Sequence, residues 1–541
     1  MNKLLMAIFA LFCSFQLSAE IKLHQLFSDG AIFQRGQAVP IWGWADSGQE
    51  IEVSFAGQTK STKADSDGKW MIKLDSLSAS EESRQLSVKS GAESITVKDI
   101  LVGEVWICSG QSNMDWKLTQ LTKPARDPFY NPISEYVKKE IETANDPLFR
   151  QIEVKKEVSP DAELKNINGN WLPVAPANSI NFTATGYFFA RELRKSLNVP
   201  VGLIKCAWGG TLVEPWVPMA KYQTNEELKN FYVAEKVAKL DKANKWWTPE
   251  KAKELHKKQL LEWEEKKKVA KEKGKKFNQR KPRMLADPAK SNRIPSTLYN
   301  GMIAPLVPYA VKGAIWYQGE SNAKYQNENY QKHFTALIEG WRTAWKQDRL
   351  DFYFCQLAQF RNPVEQPVDN DGWVNVINQQ LLTALTVPNT GIAVLNDIGE
   401  ANDIHPHNKV DAGKRLSLWA LAKSYGKKLP AHSGPLYKSS TISGSKIIID
   451  FDHVGSGLMT GKKVLLDPVV EVKEELQHFQ IKGADNVWKW ATAKIISKNQ
   501  VEVSHPEISK PVEVRYAWAA NAKSANLYNK EGLPASVFKT K

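Results

Sequence analysis

At 541 residues the chain is too long for one ordinary domain and predicts two to four. Its 42% apolar content is that of a globular protein, and its 19 Trp residues supply many flat rings for core or ligand. The net charge of +14 points to nucleic acid only superficially, because residues 221–290 hold 21 Lys and Arg against 11 Asp and Glu and the remainder is close to balance. No zinc-finger spacing and no RNA-binding aromatic signature accompany the charge, so nucleic acid is set aside as a partner.

Met1 to Ala19 reads as a secretory leader: Lys3 is its charged start, Leu4 to Phe12 its apolar core, and Leu17-Ser18-Ala19 its cleavage site. That core is too short to span a bilayer, and no later run reaches about 18 apolar residues. The expectation is an exported protein, periplasmic or extracellular, without stable membrane insertion. Cys108, Cys206 and Cys355 remain after the leader. All three sit in apolar strand-like runs, which predicts buried thiols rather than a disulfide framework.

Residues 20–99 predict a small β-sandwich. Val39 to Trp44, Glu50 to Phe55, Trp70 to Leu74, Arg84 to Val88 and Ser94 to Val97 are its strands, with turns at Asp46-Ser47-Gly48 and Asp65 to Gly68. Trp42 and Trp44 read as core residues, with sugar stacking as the alternative.

From residue 100 to 429 the pattern changes to strands followed by helices, the plan of a parallel α/β sheet. Five apolar strands are predicted at 102–107, 201–206, 312–317, 352–358 and 391–396, with helices such as Tyr187 to Leu197 and Tyr330 to Trp345 between them. Ligands bind such sheets beyond the carboxyl ends of the strands. Four of the five strands end there in unusual polar chemistry: Gly110-Gln111-Ser112-Asn113, Trp208-Gly209-Gly210-Thr211, Gln318-Gly319-Glu320-Ser321-Asn322, and the loop Asp397 to His407. The basic stretch 221–290 interrupts this plan as a surface helical insertion; a lid using Trp246, Trp247 or Trp263 is the alternative. Residues 430–541 turn β-rich again.

Those strand ends carry the elements of serine hydrolysis: a nucleophile, a base held by a third group, and donors for an oxyanion. Ser112 follows a glycine turn, and a helix starting near Asn113 would place it at a positive end. His405 is the candidate base, oriented by Asp403 or Asp397. The candidate oxyanion donors are the Ser112 amide, the Gly209 and Gly210 backbone, and the side-chain amide of Gln318 or Asn322. Two rivals are weaker. Metal binding through Asp403, His405 and His407 lacks a Cys pair or an H-E-x-x-H motif. A glycosidase pairing Glu320 with Asp397 or Asp403 leaves Ser112 without a role. No cofactor is expected.

Together these motifs resemble one family. Gly110 to Met114, Trp208-Gly209-Gly210-Thr211-Leu212-Val213-Glu214-Pro215-Trp216, Leu298 to Ile303, Trp316 to Asn322 and Asp403-Ile404-His405-Pro406 occur in the order found in sialate O-acetylesterases, of the Ser-Gly-Asn-His hydrolase superfamily. Leu26 to Gly30 and Asn526 to Ala535 resemble the family's opening and ending. The resemblance implies a flavodoxin-like three-layer parallel sheet with flanking all-β regions. It also implies metal-independent removal of O-acetyl groups from sugars through an acyl-enzyme on Ser112, with 9-O-acetylated sialic acid as substrate and acetylxylan or another glycan behind it. Gln318 and Asn322 stand where the superfamily's oxyanion asparagine is usual, and Asn402 occupies the usual place of the acid. Glu320, Trp208 and Arg293 are the expected substrate contacts, Arg293 as a cation for a sugar carboxylate.

Overall fold

The computed structural model describes residues 20–325 and 327–540; the leader expected over Met1–Ala19 lies outside them. One strand, β1 (Glu93–Gly110), organises the rest. Its first residues are mostly exposed and pair antiparallel with Ser80–Ser90, whereas every residue from Ile100 to Gly110 is buried. Asp99, at φ +57°, marks the change of environment, in a backbone region that Asp enters more readily than most residues. The strand therefore runs from the N-terminal β region into the central sheet without a linker at residue 100.

Six further strands complete the path through that sheet: β2 (Asp146–Glu153), β3 (Trp171–Val174), β4 (Val201–Ala207), β5 (Gly313–Tyr317), β6 (Asp351–Cys355) and β7 (Thr390–Ala393). Their order is β3-β2-β4-β1-β5-β6-β7, all parallel except β3, which is antiparallel to β2. The five strands expected from sequence form β4-β1-β5-β6-β7. Two were missed. β2 is disguised by Arg150 and Gln151, which are buried with hydrogen bonds to Asp99 and from the Thr183 amide; β3 is four residues long.

Because side chains alternate across a strand, the sheet has two apolar faces. Trp106 and Cys108 pack with Leu203, Ile315 and Tyr353 on one face, with the helices α1 (Ser112–Asp115), α2 (Ala184–Leu197) and, later in the chain, Lys409–Trp419. Val105 and Ile107 lie on the other face with Ala314, Trp316 and Phe352, covered by Tyr330–Trp345 and Gly372–Thr386. There Trp316 meets Phe334 at 5.8 Å and Trp341 at 6.3 Å.

The N-terminal strands share the second core. Phe27 packs 5.4 Å from Tyr309, whose hydroxyl donates to the Ile32 carbonyl, and Trp42 is buried at 8% exposure as a core residue. Residues beyond 430 form three small antiparallel sheets. They are tied to the central sheet by Asn396 donating to the Ala535 carbonyl (2.8 Å) and Gln356 to the Ser536 hydroxyl (2.9 Å). Cys108, Cys206 and Cys355 are buried and unpaired. No helix among the described residues is long and apolar enough to cross a membrane.

Candidate active site

The parallel register brings the carboxyl ends of β4, β1 and β5 level: Gly110 lies opposite Ala207 on one side and Tyr317 on the other. Gly110 has φ +131°, and a Cβ there would sit 2.2 Å from the Tyr317 carbonyl oxygen, so the turn needs glycine. The Gln111 amide donates to that carbonyl at 3.0 Å. The Gln111 side-chain oxygen accepts from the amides of Gly319 (3.4 Å) and Ser321 (3.2 Å), which fastens the 318–322 loop to the serine turn. α1 spans four residues, so the positive helix end expected behind Ser112 reduces to free first-turn amides rather than a long dipole. α2 fixes α1 from the side: Thr183 donates to the Met114 carbonyl and Thr185 to that of Asn113.

Ser112 is half-buried, and its Oγ lies 2.8 Å from Nε2 of His405. The histidine loop is held at many points. Asp403 Oδ1 accepts from the His405 amide at 2.9 Å and stands 3.5 Å from its Nδ1. Arg126 donates to the Asn402 carbonyl (2.9 Å) and contacts the other Asp403 oxygen (3.1 Å). Burial raises the Asp403 carboxyl, but hydrogen bonds from His405 and the Arg126 charge outweigh it and leave the pKa below the ordinary value. Asp397 is elsewhere. Its carboxylate is clamped by two Arg415 nitrogens at 2.6 and 2.8 Å, so of the two acids Asp403 is the one that lies beside His405. His407 faces Glu400 (2.9 Å) instead of joining Asp403 and His405, and no group of three or more His, Cys, Asp or Glu among the described residues could hold a metal ion.

The oxyanion side needs a correction. Gly209 is beside Ser112, since a Cβ on it would meet the Ser112 Cβ at 3.3 Å; Gly210 follows at φ +77° with open space around it. Gln318 and Asn322, expected as side-chain donors, are instead fully buried and occupied. Gln318 Nε2 donates to Asn322 Oδ1 (2.7 Å) and to the Thr211 carbonyl (3.3 Å). Asn322 donates to Glu214 (3.1 Å) and accepts from the Val213 amide (3.0 Å). Their task is to brace the loop after Gly210 from below.

Glu320 also differs from expectation. It is buried beneath the turn, where its Oε1 accepts from Asn113 Nδ2, so it is not open to substrate. Burial raises its pKa despite Asn113, His405 and Lys409 nearby. With Glu320 enclosed and Asp397 clamped, the glycosidase pair is not assembled. Trp208 is half-buried and its amide donates to the Gly110 carbonyl (3.0 Å). Arg293 is exposed at the rim, where its guanidinium donates to the Gly210 carbonyl (3.3 Å) and lies 5.4 Å over the Tyr325 ring.

Three participants were not legible in the sequence. Trp116 stacks on His405 with centroids 4.5 Å apart and planes at 23°. Asn113 donates to the Ile404 carbonyl (3.0 Å) and accepts from Lys409, joining the serine turn to the histidine loop. Lys409 is fully buried; desolvation, opposed by the Glu320 charge, lowers its pKa to about 8. Only the SN of the motif hinted at Asn113, and an N-cap explains that residue equally well.

The mixed sheet with flanking β regions has its counterpart in a solved carbohydrate acetylesterase. The family model for carbohydrate esterase, sialic acid-specific acetylesterase, matches residues 102–246 and 289–425. The chain belongs to that family and is a carboxylic ester hydrolase. It is 26% identical to the sialate O-acetylesterase of Homo sapiens over 92% of this chain and 88% of the relative, and 26% identical to that of Mus musculus over 92% and 90%. A solved carbohydrate acetylesterase from Xanthomonas citri is 34% identical with a TM-score of 0.75, over 96% of this chain and 99% of that one.

Proposed function

We propose that this esterase removes O-acetyl groups from sugars through an acyl-enzyme on Ser112. The observation that carries the proposal is the 2.8 Å contact between Ser112 Oγ and His405 Nε2. With its proton on Nδ1 toward Asp403, His405 accepts the hydroxyl proton through Nε2 as Oγ attacks the acetyl carbonyl. The Ser112 and Gly209 amides receive the oxyanion, with the exposed Gly210 amide beside them. The imidazolium returns the proton to the departing sugar oxygen. Water then attacks the acetyl-serine, His405 again taking the proton, and acetate leaves. Asp403 steadies the imidazolium, while Trp116 keeps the ring in plane. In this reading β4-β1-β5-β6-β7 is the flavodoxin-like core of a Ser-Gly-Asn-His hydrolase.

The substrate we favour is 9-O-acetylated sialic acid. The mammalian relatives are named sialate O-acetylesterases, and Arg293 supplies a cation at the rim for the sugar carboxylate. Acetylxylan or another acetylated glycan is the second reading, favoured by the Xanthomonas citri relative, which is described only as a carbohydrate acetylesterase. Action in the periplasm or medium, as the leader implies, fits a polymeric or glycoconjugate substrate. Purified protein given 9-O-acetyl sialate and acetylxylan in parallel is expected to release acetate faster from the first. No acetate from any acetylated sugar, together with no labelling of Ser112 by a fluorophosphonate, would leave only a carbohydrate-binding role.

A further inference from the structure

Residues 247–288, which the family model passes over, build an arm of their own. Its helix α3 (Pro249–Glu272) has 24 residues, so it is about 36 Å long at 1.5 Å per residue. Thr248 caps it by accepting from the Lys251 amide at 3.2 Å, and among the described residues of the helix Ala252 alone is buried. Gly274, at φ +61°, turns the chain back. The return segment is laced to the helix by Trp263 Nε1 donating to the Gln279 carbonyl (2.9 Å), Phe277 meeting Trp263 edge-on at 5.5 Å, and Trp247 Nε1 donating to the Leu285 carbonyl (3.4 Å). Trp247 and Trp263, two of the three candidates for a lid, thus hold the arm to itself.

The charge of the arm is concentrated at its tip. Residues 266–283 contain ten Lys and Arg against one Glu, and all ten cations are exposed. Exposed cations elsewhere are often answered, as by Lys63 with Glu50, Lys332 with Glu227 and Lys446 with Glu502. Among the described residues none of the ten tip cations has a carboxylate within ion-pair distance; Lys267 lies over the Trp263 ring at 4.9 Å. Unanswered like charges at that density repel, and a polyanion relieves the repulsion. On α3 the four cations Lys266, Lys267, Lys268 and Lys271 spread over about 200° of the circumference at about 100° per residue. That spread suits a flexible chain lying around the arm better than a flat membrane. Ten residues beyond Arg283 the same segment reaches Arg293, which touches the Gly210 carbonyl beside the nucleophile.

We propose that the arm binds acidic polysaccharide, a polymer with carboxylates along its length, and delivers its O-acetyl groups to Ser112. The proposal rests on the sugar-deacetylating reading of that site and deepens it by naming carboxylate-bearing polymers as the substrates the arm selects.

The test uses the full chain and de-esterified polygalacturonate as the probe, so binding is read separately from catalysis. Neutral xylan, phosphatidylglycerol vesicles and duplex DNA serve as comparison ligands. The intact protein is expected to bind polygalacturonate at least about tenfold more tightly than xylan, with affinity falling steeply between about 50 and about 200 mM NaCl, as counterion release requires. Replacing Lys275, Lys276, Arg280, Lys281 and Arg283 together by Glu is expected to remove that preference and to raise KM on acetylated polygalacturonate. A second variant, Lys266→Glu with Lys268→Glu and Lys271→Glu, samples the helix side and is expected to act in the same direction. Both variants should keep kcat/KM on 4-nitrophenyl acetate within about twofold, which shows that fold and serine centre survive. Equal binding of polygalacturonate and xylan, unchanged binding in both variants, or tighter binding of vesicles or DNA would overturn the arm proposal. Loss of the esterase reading would appear instead as absent, or Ser112-independent, hydrolysis of the small ester.

Discussion

Nε2 of His405 sits 2.8 Å from Oγ of Ser112 although 293 positions separate the two residues in the chain. One is on the turn after the central strand β1, the other on the loop after the edge strand β7, and Asn113 connects the two loops through the Ile404 carbonyl. If these groups act as base and nucleophile, Ser112→Ala lowers acetate release by roughly 10³-fold or more, and His405→Ala does about the same. The double variant should lose little beyond either single one, because the pair acts as a unit. Additive losses in initial-rate measurements would separate their roles.

Asp403→Asn tests the third member. Its carboxylate grips the His405 amide at 2.9 Å and approaches Nδ1 only to 3.5 Å, so it positions the loop as well as the ring. The expected fall in kcat is smaller than for Ser112→Ala, about 10- to 10²-fold. A pH effect accompanies it. The folded-state pKa lies below the ordinary carboxylate value. Its contribution to stability is therefore complete above the unfolded value near 3.9 and is lost as pH falls through the lower folded value. Thermal melting of the wild type should drop more than that of the variant between about pH 5 and about pH 3.

Gly209→Ala probes the oxyanion side. Its new methyl would stand 3.3 Å from the Ser112 Cβ, close enough to force one of the two to shift. We expect kcat to fall about 10-fold or more with Tm nearly unchanged, because the position is half-exposed and the displaced amide is the proposed oxyanion donor, whose bond would matter mainly in the transition state. A fall in Tm equal to that of a core substitution would mark Gly209 as a packing residue only.

Lys409 gives a basic limb. Below about pH 8 the ammonium donates to Asn113 and faces the Glu320 charge; above that value its proton is lost and Glu320 loses that neighbouring charge. The wild-type kcat/KM should decline as pH rises through about 8. Lys409→Met should show low activity at every pH without that limb. A wild-type profile flat to pH 10 would remove Lys409 from the account.

Arg293→Ala separates the two substrate readings. Its guanidinium is at the rim, donating to the Gly210 carbonyl and lying over the Tyr325 face. KM for 9-O-acetyl sialate should rise about 10-fold, as expected for loss of a charge-assisted contact, while 4-nitrophenyl acetate is hydrolysed as before. Equal KM changes for sialate and acetylxylan would deny Arg293 a carboxylate-binding role.

Much of this protein was legible in its chain, for local reasons. Apolar runs of strand length gave the five parallel strands, and Gly110 announced a turn that no other residue could make. Ser112 and His405 could be singled out because polar motifs at strand ends are rare and were repeated. What depended on partners distant in sequence was not legible. β2 was missed because the polar Arg150 and Gln151 interrupt its apolar run, and their partners Asp99 and Thr183 lie far away in the chain. Glu320 and Gln318 looked like donors and acceptors for a ligand until Asn113, Asn322 and Thr211 occupied them.

The sequence alone determined which residues had the chemistry: a serine after a glycine turn, a loop histidine, adjacent carboxylates and a basic helical arm. Tertiary structure decided which of them work together. It placed Asp403 beside His405 and locked Asp397 onto Arg415, and it joined Lys409 to Asn113, the residue after Ser112. The physical reason is that propensity and periodicity act over a few residues, whereas hydrogen bonds, charge pairing and desolvation depend on distances set only when far segments pack against one sheet.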